Sequence, residues 1–183
     1  MKTLLLLSLI LFSLAACRPE ESISPKAAIL SKTKAKLDTI PDKAAFKIKL
    51  LKDSSIADET MVYFNHLATC KYSSGGDAPY FLGFGQVSLA SVSSDGVDLA
   101  INQVPYTPGM SIGLDVRTKT DGIYLLKISY NKMPANIQIW IKDTYKKDSV
   151  NVCSGNYSFS AAKADTNSFG KKRFRLILKE ATH

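Results

Sequence analysis

Gly109-Met110-Ser111-Ile112-Gly113 has the G-x-S-x-G spacing of a nucleophile elbow. Acyl-transfer chemistry would need that serine on a sharp strand-to-helix turn, with an acid and then a histidine later in the chain. The sequence has two histidines, His66 and His183, and only the final residue follows the serine. A period-two apolar run follows Ser111, so the segment reads as a Gly-Met turn entering a strand. Three cysteines are present. A zinc centre needs three or four ligands, and too few histidines accompany Cys70 and Cys153 for that, so no metal is assigned to them. Bridged, these two would close a long loop, worth about 4–5 kcal/mol on the chain-entropy model; unbridged, they are two small, weakly polar thiols. Asp77, Asp95, Asp98, Asp121 and Asp143 fall at expected loops or strand ends, where calcium ligands of β-domains are found. They are scattered in sequence, and only a fold would gather them. No cofactor is implied.

The stretch from Tyr72 to Gly85 combines aromatic rings, glycines and one acid. Tyr72, Asp77, Tyr80 and Phe81 fit a sugar-binding platform, with rings on pyranose faces and the carboxylate accepting from hydroxyls. The same rings equally fit a plug at one end of a β-domain. Trp140 alternates against Ile137, Ile139 and Ile141, which makes it a second-face core residue or an exposed contact.

The amino end carries different information. Lys2 is followed by Leu4 to Leu14, interrupted only by Ser8 and Ser13, and then by Ala15-Ala16-Cys17. A positive start, a short apolar core and small residues make a secretory signal peptide. The run is too short for a bilayer span of about 20 residues. Leu14-Ala15-Ala16-Cys17 resembles the bacterial lipobox, which implies cleavage before Cys17 and acylation of that cysteine. Two or three acyl chains anchor a protein durably, so the membrane is the expected first partner. Arg18-Pro19-Glu20-Glu21 resembles the surface-export signal of Bacteroidetes lipoproteins, which implies the cell surface; the periplasmic face is the alternative. Asp38-Thr39-Ile40 resembles the O-glycosylation triplet of the same bacteria, making Thr39 a candidate acceptor.

The formal net charge of the 183 residues is +8. Much of the excess sits behind the leader, at Lys26, Lys32, Lys34, Lys36 and Lys43. Lysines there are attracted to anionic head groups or simply solvate a linker. No basic stripe interleaved with aromatics is present, and nucleic acid is not an expected partner. The organisation expected is a signal peptide over 1–16, a lipidated basic tether over 17–45 and a β-domain over 46–180.

Positioning falls to that domain, whose apolar period is two. Phe46, Ile48 and Leu50 alternate with lysines; Val62 and Phe64, Val87 and Leu89, and Val97, Leu99 and Ile101 follow. Then come Ile112, Leu114 and Val116, a nearly continuous apolar run from Ile123 to Tyr130 expected of a central strand, and the Ile137–Ile141 set. Tyr157 with Phe159, and Phe174, Leu176 and Leu178, complete the series. Ser94-Asp95-Gly96, Pro108-Gly109, Asp121-Gly122 and Ser154-Gly155-Asn156 supply turns. Nine to eleven short strands without an amphipathic helix predict an all-β fold, an antiparallel β-sandwich of jelly-roll type, with a closed barrel as the alternative.

Residues 58–178 also resemble the all-β module that precedes type IX sorting tails in secreted Bacteroidetes proteins. The resemblance rests on Asp58-Glu59-Thr60-Met61-Val62-Tyr63-Phe64, Asp77-Ala78-Pro79, Ser94-Asp95-Gly96, Ile112-Gly113-Leu114-Asp115-Val116, Ile139-Trp140-Ile141-Lys142-Asp143 and Arg173-Phe174-Arg175-Leu176. It implies a module without catalytic residues, here mounted on lipid instead of a sorting tail. The expected function is a non-catalytic interaction or structural lipoprotein of the outer membrane. A carbohydrate-binding lipoprotein, with or without calcium, is the alternative. Replacing Cys17 by Ala is expected to abolish metabolic labelling with a fatty-acid analogue; labelling that persists would remove the lipobox assignment.

Overall fold

The computed structural model of the chain describes residues 43–83, 85–153 and 155–181. The leader, Cys17, Thr39 and most of the tether lie outside them. The described residues form β1 (Ala45–Leu51), β2 (Ala57–Phe64), β3 (Ala78–Pro79), β4 (Val87–Val92), β5 (Asp98–Val104), β6 (Ser111–Thr118), β7 (Gly122–Asn131), β8 (Ile137–Asp143), β9 (Asp148–Asn151), β10 (Asn156–Ala161) and β11 (Phe174–Glu180), with one 3-10 turn at Thr166–Ser168. Ala44 and Ala45 are already buried, and the Lys43 N–H bonds the Phe64 carbonyl at 3.2 Å.

Alternation explains most of these strands. Phe46, Ile48 and Leu50 face inward with their intervening lysines outward, and β8 does the same with its three isoleucines. The strands join in one mixed sheet, ordered β10-β7-β1-β2-β5-β4-β6-β11-β8-β9, with β3 on the side of β5. This sheet curls until it nearly closes into a barrel filled by apolar side chains. The expected all-β class holds. The expectation of purely antiparallel pairing does not, because β2 and β5 run parallel, with Met61 opposite Ile101 and Phe64 opposite Val104. Parallel neighbours need a long crossover, and the chain between Phe64 and Asp98 supplies it.

Two strands depart from the simple period. In β5 the buried residues are Leu99, Asn102 and Val104, while Ile101 is exposed. The first residues of β5 pair antiparallel with β4 and the last four pair parallel with β2. β2 and β4 themselves lie side by side, because Asp58 meets Leu89 and Thr60 meets Ser91. The strand therefore turns a corner at Ala100, which shifts the inward phase by one residue. In β7, Tyr124, Leu126 and Ile128 are buried, but Ile123 is 71% exposed. A wall of a curled sheet buries one face only, whatever its place in the strand order.

The open edges of the curl, β10 and β9, share no backbone ladder among the described residues. Side chains join the walls instead. Arg173 and Asp143 are both fully buried, with Nε to Oδ1 at 3.1 Å and Nη2 to Oδ2 at 2.8 Å. The same guanidinium donates to the carbonyls of Ser160 in β10 (2.8 Å) and Ser168. It also lies 4.8 and 4.6 Å from the ring centres of Phe159 and Phe174. Asp143 accepts further from the Tyr157 hydroxyl at 2.9 Å and from the Tyr145 and Lys146 N–H groups. On β7, the Tyr130 hydroxyl donates to the Val152 carbonyl at 3.1 Å.

Burial alone would raise the Asp143 pKa, but the Arg173, Lys146 and Tyr157 donors outweigh it and hold the carboxyl below its usual value. A depressed pKa contributes stability above the unfolded value of about 3.9 and loses it as pH falls through the folded one. Asp143→Asn leaves a buried guanidinium without its counter-charge and is expected to cost about 3–5 kcal/mol at neutral pH. Urea denaturation at pH 7 and below pH 4 should show that cost shrinking in acid; a loss under about 1 kcal/mol at pH 7 would remove Asp143 from the seal.

Candidate functional site

β4 ends at Val92, opposite Gly113, whereas β6 extends two residues further through Ser111 and Ile112. The chain leaves β4 by a tight turn. The Ser93 hydroxyl bonds Asp95 at 2.6 Å and accepts the Val97 N–H at 2.9 Å, and Gly96 adopts a φ of 88° open chiefly to glycine. Past this turn no strand of the described residues fills the wall between β5 and β6. A cleft of about 320 Å³ opens there, lined by Asn102 and Val104 of β5, Met110 to Gly113, Ser93 and Ser94, Cys70, Lys171 and Arg175.

The corner in β5 shapes this cleft, and buried hydroxyls hold the corner. Thr60 Oγ1 accepts the Ser91 N–H at 3.2 Å and donates to the Leu99 carbonyl at 2.9 Å; Ser91 Oγ reaches the same carbonyl at 3.2 Å. Asp58 Oδ2 accepts the Leu89 N–H at 2.9 Å. Where β2 and β4 run side by side, these side chains take the place of a backbone ladder.

Charge in the cleft is one-sided. Lys171 is spent on Asp98 Oδ1 at 2.6 Å and on the Gly96 carbonyl at 3.3 Å. Arg175 is held by one edge, Nε to Ser111 Oγ at 2.7 Å and Nη2 to the Ser111 carbonyl at 3.4 Å. Among the described residues no carboxylate lines the cleft. Asn102 is 98% buried, yet its side-chain amide has no hydrogen-bond partner among the described residues. Its amide is not among the enclosed unpartnered groups of the fold, so it opens to the cleft and is an unused recognition group there.

The residues singled out from the sequence do not converge. Asp77 accepts the Ser73 N–H at 2.7 Å and the Gln103 N–H at 2.6 Å, which ties the loop after β2 to β5. The Tyr80 hydroxyl donates to Asp58 at 2.5 Å; burial and that carboxylate both raise its pKa. Tyr72 is partly exposed, its N–H bonded to Asp95, and Phe81 is 84% exposed. Trp140 lies on β8, with three strands between it and β5 in the sheet order. Its Nε1 donates to Gln138 at 3.2 Å, and the Lys179 ammonium lies 4.2 Å from its ring centre. A shared ring platform of Tyr72, Tyr80 and Trp140 is therefore not assembled.

The loop aspartates are likewise consumed. Asp95 takes Ser93 and Tyr72, Asp98 takes Arg117 and Lys171, Asp121 takes the Lys163 N–H at 2.5 Å, and Asp143 sits in the seal. Among the described residues no three metal-ligating side chains come together. The disulfide expectation is corrected too, since both cysteines are free. Cys70 is exposed in the loop after β2, where its carbonyl accepts the Ser94 N–H at 2.8 Å. Cys153 sits just past β9, its sulfur accepting the Ile139 N–H at 3.2 Å. The two loops belong to different parts of the strand order. Ser111 opens β6 directly, as a turn-to-strand reading of Gly109 to Gly113 requires.

Sequence reasoning missed Asn102, Arg173 and Arg175. Arg173 and Arg175 share the parity opposite to Phe174, Leu176 and Leu178, which places both outward. Arg173 precedes the strand and turns inward all the same. A polar residue in the inward phase of β5 was the available signal for Asn102.

Comparison with protein-family models, with curated proteins and with solved structures gives no match for this chain. Alkylation of the native protein should modify Cys70 on the order of tenfold faster than the half-buried Cys153, following their exposure. Intact mass under non-reducing conditions should show both as thiols; a mass two hydrogens lower would restore the bridge.

Proposed function

We propose that this chain is a non-catalytic lipoprotein of the bacterial outer membrane, displayed on the cell surface, whose β-domain holds a protein partner of the cell envelope. The leader and Cys17 support the anchor, and Arg18-Pro19-Glu20-Glu21 supports surface display. The likeness to the module before type IX sorting tails supports a binding role without chemistry. We read the curled sheet as two facing layers, flattened towards a sandwich, because Phe159 of β10 meets Phe174 of β11 at 4.7 Å across the interior.

One observation carries the interaction reading. Phe81 and Leu82 stand side by side on the loop after β3, 84% and 62% exposed. Such adjacent apolar side chains on a loop braced by Tyr80 and Asp58 suit a contact made with another surface. Asp58, which braces this loop through Tyr80, already accepts hydrogen bonds within the fold, which supports binding over acid–base chemistry.

A photo-cross-linking residue at position 81 or 82, in living cells, should give a discrete adduct that is missing when the probe replaces the exposed Lys49 of β1. Phe81→Ser with Leu82→Ser should suppress the association without lowering the melting temperature. External protease on intact cells should cleave the domain. Equal labelling from positions 49 and 81 would overturn the contact, and complete protection from protease would place the domain on the periplasmic face.

A further inference from the structure

We propose that the cleft at the end of β4 binds a small carboxylated sugar, with Arg175 taking the carboxylate and Asn102 taking a neighbouring hydroxyl. This goes beyond the protein-contact reading and stands on different residues.

Three observations converge on that ligand. Asn102 is an intact donor and acceptor pair, 98% buried, with nothing in the described protein to bond. The amide opens to the cleft, where a ligand can reach both its donor and its acceptor. Arg175 is fixed on its Nε and Nη2 side by Ser111, while its Nη1 makes no hydrogen bond with the described residues. A guanidinium so held offers an oriented, charge-assisted donor to an incoming carboxylate. Nη1 also lies 3.9 Å from where a side chain at Gly113 would begin, so the glycine keeps the strand low beneath it.

The remaining walls select the ligand's body. Val104, Met110 and Ile112 give an apolar side, which suits the C–H face of a pyranose. The volume of about 320 Å³ admits a single sugar ring and stands at the small end of ligand sites. Lys171 is neutralised by Asp98 at 2.6 Å. A phosphate dianion would seek a second unspent cation, whereas a monoanionic carboxylate is matched by the Arg175 guanidinium.

Cys70 stands on the cleft wall and reports its occupancy. The full lipoprotein in detergent would be alkylated with neutral iodoacetamide, and each cysteine followed by peptide mass spectrometry, with Cys153 as the internal reference. Sodium D-glucuronate should slow Cys70 modification saturably and leave Cys153 unchanged, while D-glucose should not. Arg175→Gln, at an exposed position, should weaken that protection more than about tenfold. Asn102→Leu, close in volume, should abolish protection while holding or raising the melting temperature, a split that a merely structural asparagine would not produce. Equal protection by glucose or by inorganic phosphate, undiminished protection in Arg175→Gln, or no protection by glucuronate at any concentration would overturn the proposal.

Discussion

A sheet that curls on itself must join two edges, and among the described residues the backbone does not join them. The Arg173–Asp143 pair does so, with both charges fully out of water. Isolated, either charge would be prohibitive there; together they satisfy each other and recruit the Ser160 and Ser168 carbonyls and the Tyr157 hydroxyl. A buried pair of this kind adds little net stability compared with an apolar filling of the same volume, because desolvation offsets attraction. Its contribution is geometric. The fork accepts one arrangement of β8, β10 and the chain entering β11, and the Phe159 and Phe174 rings on which it rests are held by that same arrangement.

A second join lies on the opposite part of the strand path, where β2 and β4 run side by side. There Asp58, Thr60 and Ser91 bond the N–H and carbonyl groups that a ladder would otherwise pair. Strand β5 turns its corner over this polar seam. One consequence is the parallel pairing of β2 with β5; another is the space beyond the end of β4. The same short side chains thus close the wall at one level and leave the cleft open at the next. Tyr80, bonded to Asp58, ties the loop carrying Phe81 and Leu82 to that seam. Both surfaces proposed for binding consequently depend on one cluster of buried and half-buried polar groups.

Period-two alternation made the strand content legible, and it assigned the inward face correctly in β1, β8, β10 and β11. It failed where neighbours changed. Ile101 was read inward from its spacing to Leu99, but the corner at Ala100 exposes it and buries Asn102. The apolar run of β7 was read as a central strand and β7 does lie between β10 and β1, yet Ile123 meets solvent because a curled wall has an outside. Cys70 and Cys153 made an even pair in composition, but composition carries no distance, and the loops that hold them are far apart in the strand order.

Local physical chemistry was enough for the sequence by itself to determine the turns and the all-β class, since each depends on residues within a few positions of one another; the leader and the Cys17 lipidation are expectations drawn from the same kind of short-range pattern. The parallel β2–β5 pair, the inward Arg173, the free thiols and the cleft around Asn102 and Arg175 were decided only by the tertiary structure. Each depends on which distant strands become neighbours. That choice follows from burying the whole apolar set at once while pairing every enclosed charge, and no single segment carries it.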